Sequence, residues 1–255
     1  MDNKQRVQEQ FGKYAAHYVT SEIHAKGKDL AVLLALSEAK KEDIVLDIAT
    51  GGGHVANGFA QLVDQVTALD LTENMLQEAE AFIRGNGHTN VTFVKGDAEQ
   101  LPFPDASFSI VACRIAPHHF SDIAAFAAES YRVLQENGKF LLIDNVAPEQ
   151  DELDTFYNTV EKKRDNSHYR AWKKSEWISL LERSGFTVQQ LVTFSKTFQF
   201  EKWCKQAGLP ETEKQELEQY MLNGDKQIAK HFHIEVQDGH ISSFQGQAVL
   251  IQCRK

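Results

Sequence analysis

The chain has 255 residues, 42% of them hydrophobic and 25% charged, a globular composition that suits one large α/β domain or a core with a small added lobe. A formal charge of −9 argues against a broad nucleic-acid surface, which needs a basic footprint. Cys113, Cys204 and Cys253 are too few and scattered for a disulfide framework or a zinc knuckle, and no metal site is expected. No run approaches the ~20 apolar residues of a membrane helix, and the first residues lack a secretory pattern, so the expected setting is cytoplasmic.

Residues 5–38 read as helical. Phe11, Tyr14 and Tyr18 recur at spacings of three and four and share one face. That face either packs on the core or belongs to a lid that brings Tyr14, Tyr18, His24 and Lys28 near a ligand. Leu30, Leu33 and Leu34 give Asp29–Leu36 the pattern of a helix on a sheet. The apolar run Ile44–Ile48 then reads as a strand buried on both faces. Gly51-Gly52-Gly53 follows, and His54–Val63 returns to helical spacing. A second strand, Gln65–Leu69, ends in Asp70, 19 positions after Gly51. This spacing fits a carboxylate that grips a ribose.

Two ligands and one bland alternative are compatible with that stretch. Gly51-Gly52-Gly53-His54-Val55-Ala56 matches a dinucleotide pattern with Ala in its last place. Asp47 weighs against a pyrophosphate, beside which neutral or positive neighbours are favoured. It suits an ammonium group, such as that of S-adenosylmethionine, which carries no phosphate. The bland alternative is a structural Gly turn.

Further along, Thr72 is placed to cap a helix that runs to about Arg84 and ends at Gly85 or Gly87. Leu71 and Met75, one turn apart, offer an apolar wall for a flat base. The third strand, Val91–Lys95, leads into Gly96-Asp97-Ala98, where a carboxylate and the next backbone N–H suit an adenine edge. Strand four, Phe108–Cys113, is followed by Arg114–Phe120, which contains His118 and His119. Ser121 is placed to cap a helix to about Gln135, and Lys139–Asp144 is strand five. Asp47, Asp70, Asp97 and Asp144 thus end strands at one edge, where ligands bind in open parallel sheets.

After Ala147 the alternation loosens. Residues 151–173 read as an insertion over the strand ends and bring His168, Tyr169, Arg170 and Trp172, aromatic and polar groups suited to an acceptor pocket. A helix over Ser175–Ser184, a strand over Phe186–Val192 and two or three short helices over 199–232 follow. Ile234–Gln237 and His240–Phe244 flank Asp238-Gly239 as a hairpin. Ala248–Cys253 is a final apolar strand.

Four blocks carry a family resemblance. They are Val45-Leu46-Asp47-Ile48-Ala49-Thr50-Gly51-Gly52-Gly53, Ala68-Leu69-Asp70-Leu71-Thr72-Glu73-Asn74-Met75-Leu76, Gly96-Asp97-Ala98-Glu99-Gln100-Leu101-Pro102-Phe103, and Arg132-Val133-Leu134 with Gly138-Lys139-Phe140. In this order the chain resembles class I S-adenosylmethionine-dependent methyltransferases, in the group that includes the ubiquinone and menaquinone biosynthesis enzymes (methyltransferase type 11 domain). The likeness covers about residues 40–146. It implies a Rossmann-like α/β fold with a seven-stranded, mostly parallel sheet, an antiparallel last strand and helices on both faces. It also implies a helical N-terminal lid (1–38), a cofactor-binding core (39–146) and a substrate-cap insertion with the sheet-completing part of the same domain (147–255).

The resemblance further implies cofactor contacts at Asp47, Ala49, Gly51, Gly53, Asp70, Leu71, Met75, Gly96, Asp97, Ala98 and Arg114, with Tyr18 and His24 reaching in from the lid. Asp70 would take the ribose hydroxyls, Asp97 the adenine amine, and the Arg114 carbonyl the ammonium. Ala49 stands where the motif more often has Gly. The expected activity is methyl transfer from S-adenosylmethionine to a small-molecule acceptor, leaving S-adenosylhomocysteine. His118 and His119 are the candidate bases if the nucleophile must lose a proton. An RNA methyltransferase, an NAD-dependent oxidoreductase and a non-catalytic S-adenosylmethionine-binding protein remain the alternatives.

Overall fold

A computed structural model describes residues 2–19 and 27–255, with side-chain surroundings for 2–12 and 27–255. The central strand is β1 (Ile44–Ile48), flanked in parallel by β2 (Gln65–Asp70) and β4 (Phe108–Arg114); β3 (Val91–Lys95) lies outside β2 and β5 (Leu134–Val146) outside β4. The order is β3-β2-β1-β4-β5-β8-β6, where β8 (His240–Arg254) runs antiparallel to both β5 and β6 (Thr187–Gln199). This seven-strand path is the Rossmann-like sheet of the sequence expectation. A short β7 (Glu235–Gln237) pairs with β8 and brings the sheet to eight strands.

Continuous apolar runs form the inner strands because both faces are covered. Leu46 and Ile48 of β1 join Val111, Phe126, Phe140 and Trp177 in one buried cluster. Val45 joins Ala56, Phe59, Ala112 and Leu141 in the other. Helices α2 (Lys28–Ser37), α3 (His54–Ala60) and α4 (Glu73–Gly85) supply one layer; α5 (Ile123–Val133) and α7 (Lys174–Arg183) supply the opposite one. A third cluster joins α6 (Asp151–Arg164), α8 (Phe200–Gln206) and α9 (Glu211–Leu222) to Phe244 of β8 and to Phe232, which follows α10 (Lys226–His231). Helix α1 (Asn3–Val19) crosses the carboxyl ends of the parallel strands. Among the described residues no helix is long and apolar enough to cross a membrane.

Several boundaries differ from the sequence reading for physical reasons. The hairpin second strand and the final strand are one continuous β8, since Ser243–Gln247 pairs with β6 throughout and its polar, Gly-containing sequence hides the strand. The hairpin turn itself is as expected, with Asp238 (φ 52°) and Gly239 (φ 84°) both left-handed. Asp122, not Ser121, caps α5 by accepting from the Ala125 N–H at 2.9 Å, while Ser121 is held by Glu99. Thr72 occupies the N-cap position of α4 but makes no side-chain cap bond.

The glycines after β1 play different parts. Gly53 (φ 82°) is packed so closely that an added Cβ would stand 3.0 Å from Ile83 Cδ1 and 3.1 Å from Ala79 Cβ of α4. At Gly51 (φ 54°) the nearest atom to such a Cβ is Met75 Cε, at 3.6 Å. Gly53→Ala is expected to cost about 2–4 kcal/mol in urea unfolding, from overpacking added to left-handed strain. Gly51→Ala should cost only the backbone part, about 1–2 kcal/mol. Equal losses in the two variants would contradict this division.

Candidate active site

The carboxyl ends of the parallel strands open into a cavity with about 1040 Å³ of empty space, its mouth included. Its floor is the turn after β1. There Thr50 N–H donates to the Leu69 carbonyl (2.9 Å), Gly53 N–H to the Thr50 carbonyl (2.9 Å) and Gly51 N–H to Asp70 Oδ2 (3.0 Å). Asp70 Oδ1 accepts from Thr72 N–H at 2.9 Å. Both carboxylate oxygens are thus anchored by backbone, and each keeps lone-pair capacity for a further donor. Gly96 N–H donates to the Asp70 carbonyl (3.0 Å), and a Cβ there would meet Leu69 Cδ1 at 2.7 Å, so glycine brings the end of β3 against the end of β2.

The cavity is acidic. Asp47 is buried, accepts from Thr50 Oγ1 (2.6 Å) and Ala56 N–H (3.0 Å), and is pushed up to about 7, first by burial and further by the charge of Asp70. Burial likewise raises Asp70, against the hydrogen bonds from Thr72 and Gly51. Asp97 and Glu99 stand at the rim. The cations that line the cavity are committed to carboxylates. Lys4 of α1 reaches both Asp97 Oδ2 and Glu99 Oε2 at 2.6 Å, and Arg114 Nε donates to Asp29 Oδ2 at 2.9 Å. Burial opposes the charge of Lys4, but its hydrogen bonds to Asp97 and Glu99 outweigh it and raise its pKa.

Two non-glycine residues of the lining have left-handed backbones, Ala49 (φ 55°) and Ile115 (φ 54°). For L-residues this conformation costs roughly 1–2 kcal/mol, and a β-branched side chain is the least tolerant. Strain of this kind gathers where a site fixes the backbone. Ala49, which replaces the commoner Gly, therefore adopts the turn that a glycine would, at a steric cost.

Behind the loop after β4 lies a buried polar cluster. His118 Nδ1 is 2.6 Å from Oδ1 of Asp144, a carboxylate with no solvent exposure. Burial disfavours the imidazolium, yet the charge and hydrogen bond of Asp144 prevail and raise the His118 pKa. His119, with its ring 4.2 Å from that of His118, is pushed down to about 4 by burial and then by His118. His168, 5.6 Å from His118, falls to about 2 for the same reasons, and its Nε2 is 3.0 Å from Asn158 Oδ1.

One cavity therefore gathers Asp47, Ala49, Gly51, Asp70, Leu71, Met75, Gly96, Asp97, Ala98, Arg114 and His119. It does not include Gly53, whose free side faces α4, or His118, which turns to Asp144 behind the wall. Asp144 is accordingly not a fourth acid of the cavity. The side chain of Tyr18 and the whole of His24 lie outside the described residues, as does the side chain of Tyr14. Tyr169 is 49% exposed and Trp172 packs on the core, while the ring of His168 lies 5.6 Å from that of His118.

Sequence reasoning missed Lys4, Val7, Glu99 and Phe120, which all line the cavity. A signal existed for two of them. The three-and-four spacing of Phe11, Tyr14 and Tyr18 continues backwards to Val7 and Lys4.

Comparison with known proteins agrees with this layout. The family model for the methyltransferase domain matches residues 46–142. The chain is similar to the uncharacterized methyltransferase YcgJ of Bacillus subtilis, at 36% identity over 95% of this chain and 96% of that protein. The crystal structure of YcgJ superposes with a TM-score of 0.87, covering 89% of this chain and 97% of its own. A crystal structure from Bacillus halodurans C-125, described as a methyltransferase candidate, gives a TM-score of 0.88 at 52% identity over 90% of this chain and 99% of its own. The ubiquinone/menaquinone biosynthesis C-methyltransferase UbiE of Psychromonas ingrahamii is 32% identical over 48% of this chain and 50% of that enzyme.

The raised pKa of Asp47 has a consequence for stability. The folded state keeps a proton that the unfolded state releases between about pH 4 and pH 7, so this group's contribution is best at low pH, declines through that window and is flat above it. Asp47→Asn retains an oxygen for Thr50 and Ala56 and removes the ionisation. The ligand-free variant is expected to unfold at higher urea than the wild type at pH 8, with a smaller difference at pH 5. A gap independent of pH would mean that Asp47 is not the buried acid responsible.

Proposed function

The chain belongs to the S-adenosylmethionine-dependent methyltransferases of class I, and we propose that its methyl acceptor is a small, partly apolar molecule bound in the cavity beneath α1. The observation that carries the cofactor side is the acid-lined Gly turn, with Asp70 oriented by two backbone N–H groups and Asp47 poised beside it. A cavity whose lysine and arginine are both paired with carboxylates is a poor host for a pyrophosphate. It suits a ligand that carries an ammonium and a sulfonium and no phosphate.

When bound, S-adenosylmethionine supplies a methyl group already made electrophilic by the sulfonium, which leaves as the neutral thioether of S-adenosylhomocysteine. The protein's work is then alignment and exclusion of water. In this reading Asp70 accepts from the ribose hydroxyls, Leu71 and Met75 flank the adenine, and Asp97 with the N–H of Ala98 reads its edge. Gly51 and Ala49 admit the amino-acid portion near Asp47 and the Arg114 carbonyl, with Gly96 keeping the strand ends close. Gly53 supports the turn through its packing on α4.

For the acceptor side, Val7 and Phe11 of α1 face Ile115, Ala116, His119 and Phe120 across the cavity, an apolar enclosure with one polar ring. The enclosed shape and the net charge favour a small molecule over RNA. UbiE, a C-methyltransferase of ubiquinone and menaquinone biosynthesis, is a relative over half its length and offers a precedent for a small acceptor. Residues 1–38 serve as the lid, 39–146 hold the cofactor, and 147–255 back the acceptor side and complete the sheet.

Asp70→Ala should weaken S-adenosylmethionine binding by about 1.5–3 kcal/mol, roughly ten- to more than hundredfold, in isothermal titration. An unchanged dissociation constant would remove Asp70 from the site. Incubation with methyl-labelled S-adenosylmethionine and cell extract should place label in the small-molecule fraction; label confined to RNA would refute the acceptor class. The amides of α1 should gain exchange protection with S-adenosylhomocysteine, and equal exchange with and without it would reject the lid.

A further inference from the structure

The reading above uses one face of His119 and leaves the groups behind it unexplained. The ring of His119 stands edge-on to Phe11, with centroids 5.0 Å apart, as part of the cavity wall. Its Nδ1 lies 3.2 Å from Ser167 Oγ. That hydroxyl donates its only hydrogen to Asp165 Oδ1 at 2.6 Å, and the same carboxylate oxygen accepts the Ser167 N–H at 2.8 Å. Ser167 Oγ can therefore only accept from the imidazole. The hydrogen of the neutral ring sits on Nδ1, and Nε2 carries the lone pair.

Ser167 is fully buried, and Asp165 and His119 nearly so. Their arrangement is fixed by the protein interior and not by water. Nε2 of His119 has no hydrogen-bond partner among the described residues. A buried carboxylate, a hydroxyl and an imidazole thus follow one another from the loop after α6 to the cavity wall, and the lone pair lies on the ring nitrogen away from Ser167.

Resting on the methyltransferase reading, we propose that His119 takes the acceptor's proton, that Ser167 and Asp165 are its positioning residues, and that the acceptor atom is a hydroxyl oxygen. A lone pair of that oxygen becomes its bond to the methyl carbon as the carbon–sulfur bond of the donor breaks and its electron pair stays on the sulfur. The electron pair of the O–H bond returns to the oxygen as the proton passes to Nε2, which leaves a neutral methyl ether and an imidazolium. The imidazolium then donates from Nδ1 to Ser167, with the charge of Asp165 one hydroxyl away.

The surroundings of the ring fit a base that stays neutral until the chemistry occurs. His118, held by Asp144, is the nearest competing cation; Asp165 is the nearest anion, and His168 and Glu161 lie beyond His118. Burial and His118 hold His119 at about 4, so its lone pair is available at neutral pH. A methylated oxonium is acidic enough to give its proton to such a base. An alkylammonium is not, and this selects oxygen over nitrogen.

The test uses the full chain with S-adenosylhomocysteine bound. Nitrogen-15 NMR of the histidines should show His119 as the Nδ1–H tautomer, neutral at pH 6, and Ser167→Ala should shift it towards Nε2–H. An Nε2–H tautomer in the wild type, or no shift in Ser167→Ala, would overturn the proposal. With carbon-13-methyl S-adenosylmethionine and a small-molecule extract, the transferred methyl should show the chemical shift of carbon bound to oxygen. His119→Gln should slow that transfer by about a hundredfold or more while its S-adenosylhomocysteine affinity stays that of the wild type. Methyl on nitrogen or carbon, or undiminished transfer in His119→Gln, would refute it. Failure of the wild type to bind S-adenosylhomocysteine at all would instead defeat the methyltransferase reading, so the two failures are distinct.

Discussion

The two backbone hydrogen bonds accepted by Asp70 are the constraint on which the site depends. They tie the Gly turn after β1 to the start of α4, two segments that adjoin only because β1 and β2 are paired in parallel. A carboxylate there satisfies donors at a turn and a helix start that would otherwise need water. It also fixes a negative charge at the cavity floor, within range of Asp47. Burial disfavours the ionisation of both acids, and at Asp47 the charge of Asp70 adds to the effect. The cavity thus holds an electrostatic demand that a cationic ligand satisfies directly.

Part of that demand is met by the protein's own chain. Lys4 on α1 reaches across to Asp97 and Glu99, and Asn3 and Gln8 bind the carbonyls of His119 and Leu71 at 2.6 Å and 3.3 Å. These bonds hold α1 over the strand ends through polar contacts at its first turns, with Val7 and Phe11 as the apolar inner face. Lys4 remains 40% exposed, so solvent screens its ion pairs and they contribute little stability. Such a fastening sets α1 over the strand ends in one register, and these are the contacts that the lid proposed above would have to release.

The legible parts of the fold were those whose signal is local. Strands β1 to β5 announce themselves as short apolar runs because both faces are buried, and three of the carboxylates that end strands fall where the path predicts them. Gly53 was expected at the cofactor through the resemblance; the side its missing Cβ leaves open faces Ala79 and Ile83, which only the packing of α4 reveals. Asp144 looked like its three counterparts because position along a strand says nothing about which way a side chain is claimed. His118, 26 residues earlier, claims it. β8 was split because its polar middle is stabilised by pairing with β6, a long-range contact that overrides composition.

The same distinction separates the two halves of the site. The proposed cofactor side is built from turns in which the groups assigned to recognition are close in sequence to the strands that aim them. The proposed acceptor side is assembled from distant pieces: the loop after β4 supplies His119 and the loop after α6 supplies Ser167 and Asp165, while Asp144 of β5 holds the neighbouring His118. The Tyr169 and Arg170 N–H groups donate to the His118 carbonyl at 2.8 and 3.0 Å, so the α6 loop fixes the backbone that carries both histidines. Changes in that loop can alter the acceptor wall without disturbing the Gly turn or Asp70. A fold arranged in this way can keep one methyl donor and vary what receives the methyl group, because the two tasks rest on separate sets of hydrogen bonds.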